Sequence, residues 1–139
     1  MKPLLSVFFF LILVVTFSGC KQAESESGSG KVIAKIHRLK ADEFYQMSTD
    51  NPGIYLDVRT QAEFNQSKIP NALLADIYLT DFESKIQRLP RDQAIYVYCT
   101  VGARSMQAAR ILQKNGFEKI YNLDGGIMDW ARNRYPVTR

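Results

Sequence analysis

Apolar and polar residues fall into two kinds of block along this chain. Short runs rich in β-branched and aromatic residues recur at KVIAKIH (31–37), GIYLDV (53–58), AIYVYC (94–99) and KIYNL (119–123), with a weaker run at NALLAD (71–76). Each has the length and composition of a strand. Between them lie segments with apolar residues spaced for helices. ADEFYQM (41–47) predicts a short helix, and TQAEF predicts a helix opened by a capping box between Thr60 and Glu63. TDFESKIQRLP repeats that pattern with Thr80 and Glu83, puts Phe82, Ile86 and Leu89 on one face, and stops at Pro90. RSMQAARILQKNGF is the clearest helix: Gly116 suits the left-handed position past its end, with Phe117 packing back on Leu112. DGGIMDWARNRYP predicts a last helix with Asp124 as N-cap and Ile127, Trp130 and Ala131 facing inward.

Strands that alternate with helices imply an α/β fold, a small central parallel sheet of about five strands with helices on both faces. The apolar run 95–98 reads as a central strand covered on both sides. In such sheets, ligands bind beyond the carboxyl ends of the strands. Two strands end in reactive residue types, one at Asp57 and Arg59 and the other at Cys99, so both are expected at that edge.

The first thirty residues do not fit this alternation. Lys2 precedes an apolar run from Leu4 to Phe17, shorter than the roughly 18 residues of a membrane-spanning helix. A basic start, a short apolar core and small residues after it describe a secretory signal over 1–19; a buried helix or an uncleaved anchor is the plainer alternative. The segment TFSGC, Thr16 to Cys20, resembles a bacterial lipobox, with Phe17 where an aliphatic residue is usual. It implies lipid on Cys20 and export to the outer side of a bacterial membrane. Residues 20–30 are polar and rich in Ser, Gly and Glu, a flexible tether, and residues 31–139 form the folded domain. For a Gram-negative source, Lys21 after Cys20, where no acidic residue stands, points by analogy to the outer membrane, facing the periplasm.

Charge changes the picture little. Lys and Arg number 18 against 14 Asp and Glu, with no basic block interleaved with aromatics, so nucleic acid is not an expected partner. Cysteine changes it more. Of the two cysteines, only Cys99 remains a thiol if Cys20 carries lipid. An unpaired thiol in an exported protein is either buried and inert or reactive. One His and two Cys make no credible zinc or iron–sulfur set.

The residues after Cys99 favour reactivity. Thr100, Val101, Gly102, Ala103 and Arg104 form a tight loop leading to a helix near Ser105. Amides at a helix N-terminus and the helix dipole stabilise an anion there, and this lowers a thiol pKa. Gly102 permits the curl, Arg104 adds a cation, and Ser105 is placed to cap the helix or steady the sulfur. A cysteine at a strand end is also what a small buried hydrophobe looks like. Asp57 orients an active-site arginine or makes a structural ion pair, and Arg59 contacts a substrate anion or pairs with Asp57. Gly125 and Gly126 are read as allowing close helix–strand approach, and Trp130 as core. His37, the only histidine, has no partner residues for catalysis.

Four motifs in order resemble the single-domain rhodaneses, a family of sulfurtransferase modules: YLDVRTQAEF (55–64), IPNA (69–72), YCTVGARS (98–105) and YNLDGGIMDW (121–130). The resemblance covers nearly all of 31–139 and implies that Cys99 takes the outer sulfur of a small anionic donor such as thiosulfate, becomes a persulfide, and passes the sulfur to cyanide or a thiol, with no metal or organic cofactor. The four residues between Cys99 and Arg104 resemble the sulfur-handling members, where related phosphatases and arsenate reductases have a longer loop. Thr100 stands where the family often has Arg, Ser67-Lys68 where it has Gly-His, and Asn71 where it has Gly. The missing cation weakens the expectation of efficient thiosulfate use and leaves two classes of donor, thiosulfate or a persulfide or polysulfide, with the Thr100 hydroxyl still able to donate a hydrogen bond. A rhodanese-like module that carries sulfur or docks a partner without turnover is the non-enzymatic alternative.

Overall fold

The computed structural model describes residues 34–139. Along the chain run β1 (Ile36–Leu39), α1 (Ala41–Asp50), β2 (Gly53–Asp57), α2 (Gln61–Gln66), β3 (Leu73–Leu74), α3 (Phe82–Gln87), β4 (Ala94–Tyr98), α4 (Ala103–Lys114), β5 (Ile120–Leu123) and α5 (Gly126–Arg132). The five strands form one parallel sheet in the order β1-β5-β4-β2-β3. The predicted α/β fold with helices on both faces is thus the observed one.

Strand parity divides the core. Ile95, Val97 and Cys99 point to the face covered by α3 and α4, where they pack with Phe82, Ile86, Ala108, Ala109 and Leu112. Ala94, Tyr96 and Tyr98 point to the other face, packing with Phe44 of α1 and Ile127 and Trp130 of α5. Every residue of β4 is buried, as a central strand flanked by two layers requires. The thiol that follows β4 therefore emerges on the α4 side.

The end of α4 forms as its sequence predicts. Gly116 has φ +83°, the Phe117 amide donates to Leu112 O at 3.1 Å and the Gly116 amide to Gln113 O at 3.1 Å. These are the two hydrogen bonds of a Schellman motif. Thr60 and Glu63 also form the predicted capping box: the Glu63 amide donates to Thr60 Oγ1 at 3.3 Å and the Thr60 amide to Glu63 Oε2 at 3.0 Å.

Several boundaries differ from expectation. β1 begins at Ile36, not at residue 31, and α1 extends to Asp50. The second capping box does not form, because Asp81 occupies the N-cap of α3 and makes no side-chain cap bond. Asp124 is not the cap of α5; Gly125, at φ +92°, holds that position, and Asp124 pairs with Arg38 at 2.8 Å. Ala131 is exposed, because the inward stripe of this short helix is Ile127 and Trp130. The expected signal over 1–19, the lipid on Cys20 and the tether over 20–30 lie outside the described residues. Among the described residues, no helix is long and apolar enough to cross a membrane.

Candidate active site

Cys99 follows the last residue of β4, and α4 begins at Ala103, two residues earlier than the sequence reading placed it. The intervening turn is closed by Gly102 at φ +99°, a left-handed conformation that a Cβ would strain. A Cβ there would also lie 3.1 Å from the Gly125 amide nitrogen. The turn brings the Gly102 amide to 3.1 Å from Cys99 Sγ, with the amide donating.

Ser105 does not cap the helix. It sits inside the first turn of α4, fully buried, with its hydroxyl 3.5 Å from Cys99 Sγ and 3.1 Å from Gly102 O. It has one hydrogen to give, and a thiolate accepts it more strongly than a neutral carbonyl does. Burial pushes the Cys99 thiol up. The Ser105 hydroxyl and the amides of Ser105, Val101 and Gly102 outweigh that push, so its pKa falls below the ordinary thiol value. The thiol is only 1% exposed, so its reactivity comes from this ring of donors and not from open access to water.

The loop is held from below by α5. The Ile127 amide donates to Cys99 O at 2.8 Å and the Met128 amide to Thr100 O at 3.2 Å. This contact explains Gly126. A Cβ there would come within 2.4 Å of Thr100 C and O and 2.5 Å of Cys99 O. The predicted role of the glycine pair, close approach of backbone to backbone, is met at Gly126, and the neighbour it approaches is the thiol loop itself.

Arg104 does not stand free as a cation for substrate. Its guanidinium makes two hydrogen bonds to Glu63, Nη1 to Oε2 at 2.9 Å and Nη2 to Oε1 at 2.7 Å. Nη2 also donates to Thr100 Oγ1 at 2.8 Å, and the Thr100 hydroxyl donates to Glu63 Oε1 at 2.8 Å. Arg104 holds the Glu63 carboxyl well below the usual carboxylate range, against the opposing pull of burial. The sequence reading missed Glu63 as a member of the site, having assigned it only to a helix cap. Its one available signal was the Glu-Phe pair that follows Asp-Val-Arg in the family resemblance.

Asp57 and Arg59 reach the same sheet edge but the opposite face. Asp57 pairs in register with Tyr98, whose side chain points away from the Cys99 side. Arg59 Nη2 lies 2.6 Å from Asp57 Oδ2 and donates also to Ser67 O at 2.6 Å, while its guanidinium sits 5.7 Å from the Tyr98 ring centroid. The pair is buried, with side chains 5% and 0% exposed. The structure joins Asp57 and Arg59 to each other and to the 67–69 turn, not to the thiol. Tyr98 extends that link by accepting from the Ile69 amide at 3.1 Å. Asn71, standing where the family has Gly, takes φ +62°, a conformation asparagine tolerates better than most residues. His37 stacks on Tyr121 and takes no part in the loop.

Comparison with known proteins agrees with this geometry. Residues 40–133 match the family described as the rhodanese-like domain. The chain is 34% identical over 103 residues to a sulfurtransferase of Allochromatium vinosum, covering 73% of this chain and 94% of that protein. It is 32% identical over 98 residues to a tRNA uridine(34) hydroxylase of Cronobacter sakazakii, spanning only 28% of that protein's length. The crystal structure of a rhodanese-related protein from Thermoplasma volcanium superposes with a TM-score of 0.63 at 28% identity, covering 73% of this chain and 97% of that one. A parallel sheet in the order β1-β5-β4-β2-β3, a thiol loop opening α4, and a family match across residues 40–133 lead to one assignment: the chain belongs to the rhodanese-like family.

Proposed function

We infer that this protein is a sulfurtransferase that works through a persulfide on Cys99. The observation that carries the reading is the thiol's surroundings: a buried Sγ with the Gly102 amide at 3.1 Å and the Ser105 hydroxyl at 3.5 Å, at the start of a 12-residue helix. These donors stabilise a thiolate before reaction and the persulfide anion after it. The thiolate attacks the outer sulfur of a sulfane donor. An S–S bond forms to Cys99, the donor's own bond to that sulfur breaks, and its electron pair leaves on sulfite or a thiolate. Attack by cyanide or a thiol on the outer persulfide sulfur returns the Cys99 thiolate and releases thiocyanate or a new persulfide.

Support also comes from the sulfurtransferase relative, which this chain covers almost end to end. The hydroxylase relative lends no activity of its own, since 28% of its length corresponds. The short loop between Cys99 and Arg104 supports sulfur chemistry over phosphate or arsenate chemistry. We place the enzyme outside the cytoplasm, held by lipid on Cys20, because of the lipobox resemblance.

The test is mass spectrometry of Cys99 after exposure to thiosulfate, a thiol persulfide and a polysulfide, alongside a thiocyanate assay with cyanide. Gain of one sulfur on Cys99, lost on adding cyanide and absent in Cys99→Ser, is the expected result. Unmodified Cys99 with every donor overturns the reading. Retention of the protein in membranes after Cys20→Ser overturns the lipid anchor.

A further inference from the structure

Glu63 touches the thiol loop more extensively than its capping role requires. Its two carboxylate oxygens accept five hydrogen bonds: from the Thr60 amide and hydroxyl, the Thr100 hydroxyl, and both terminal nitrogens of Arg104. Capping α2 needs only the Thr60 contacts. The rest take up two groups of the loop. Arg104, the loop's own cation, is neutralised by a bidentate pair, and the one hydroxyl hydrogen of Thr100 points at Glu63 Oε1. Arg59 is bound to Asp57 on the far face, and Arg38, near the end of β1, is bound to Asp124.

Among the described residues, the groups that donate to Cys99 Sγ itself are neutral dipoles, the Gly102 amide and the Ser105 hydroxyl, while Arg110 lines the neighbouring cavity beside Val101, Gly102 and Ala103. This matters because sulfane donors differ in charge. Thiosulfate is a dianion that must approach a thiolate and leave as dianionic sulfite. A thiol persulfide reacts as RS–SH, whose outer sulfur is uncharged. Cys99 sulfur bonds to that outer sulfur, the RS–S bond breaks, RS− departs with the electron pair, and the proton on the transferred sulfur is released. A free cation beside Cys99 favours the first reaction much more than the second.

On the sulfurtransferase reading, we propose that Glu63 determines donor specificity: by engaging Arg104 and the Thr100 hydroxyl, it disfavours thiosulfate and leaves thiol persulfides as the preferred donors. Glu63 acts here as a positioning residue, through Arg104 and Thr100.

Glu63→Gln is the direct test, because glutamine still serves the third position of a capping box. Wild type is expected to show a higher kcat/KM with cysteine persulfide than with thiosulfate. In Glu63→Gln the thiosulfate KM should fall about tenfold at low salt, the size of effect one uncompensated charge exerts on a nearby dianion, with kcat little changed. The same KM should then rise steeply with added KCl, while the wild-type value stays nearly flat. Values for cysteine persulfide should move less than about twofold, since its reacting RS–SH form is a zwitterion with no net charge. Glu63→Asp keeps the charge and should keep the wild-type donor order; if it behaves as Gln does, the effect is structural and the proposal falls. Parallel changes for both donors, or none, also overturn it. Failure of wild-type Cys99 to take sulfur from either donor is a separate result, which removes the sulfurtransferase reading and this proposal with it.

Discussion

Of the acid–arginine pairs at the carboxyl edge of the sheet, Asp57–Arg59 and Glu63–Arg104 do opposite things. Asp57–Arg59 is sealed, with side chains 0% and 5% exposed, and it ties the end of β2 to the 67–69 turn beneath Tyr98. Glu63–Arg104 is open to water, with side chains 30% and 21% exposed, and it spans 41 residues from a helix cap to the thiol loop. The chemistry of the two pairs is the same. Burial decides what each is for: a sealed pair fixes architecture, because removing one partner strands the other charge in the core, while an open pair tunes charge at a mouth at small cost to stability.

That contrast can be broken in order of expected effect. Arg59→Leu leaves Asp57 charged and buried, and should destabilise the fold by about 3–5 kcal/mol in urea unfolding. A loss below about 1 kcal/mol would mean that the sealed pair is dispensable and the distinction false. Gly126→Ala touches neither pair but drives a Cβ into the Thr100 backbone. It should cost roughly 1–3 kcal/mol and, by displacing the loop from Arg104 and Ser105, depress sulfur loading of Cys99 measured by mass spectrometry.

Glu63→Gln should change stability at neutral pH by at most about 1 kcal/mol. Its signature lies instead in acid. Arg104 depresses the folded pKa of Glu63, so the stability this group contributes is present above the ordinary carboxyl range and lost as pH falls through the lower folded value. The variant should therefore show a flatter loss of stability on acidification than wild type. Ser105→Ala should have the smallest effect on stability but a readable one on reactivity. Burial raises the Cys99 pKa and the Ser105 hydroxyl is the leading group that lowers it, so its loss moves the pKa upward. The pH dependence of iodoacetamide alkylation at Cys99 should shift toward alkaline values, with the wild-type limb lying below that of an ordinary thiol.

The fold was legible wherever a local rule acts alone. The Schellman end of α4 needs only Leu112, Gly116 and Phe117, all within one turn, and it forms as read. The two capping patterns show the limit of such rules. Thr60 with Glu63 forms a box, whereas Thr80 with Glu83 does not, because Asp81 is a competing cap one residue later and takes the N-cap of α3. Nothing within the pattern itself separates the two cases. The thiol was legible through its position between a buried strand and a glycine-led helix. Its neighbours were less so. Glu63 read as a cap, and it is one; its second engagement depends on Arg104 arriving from 41 residues away, which no periodicity encodes. Arg59 and Asp57 were placed at the right edge, but which face they occupy follows from the register of Asp57 on Tyr98, a fact of pairing and not of composition.

The thiol loop's chemistry and its anchorage come from different stretches of chain. Every donor to the sulfur lies within residues 101–105, whereas the carbonyls of Cys99 and Thr100 are fastened by the amides of Ile127 and Met128. A chain cut before Ile127 would keep its cysteine, its central strand and every donor to the sulfur, and would lose the two bonds that pin the loop's backbone.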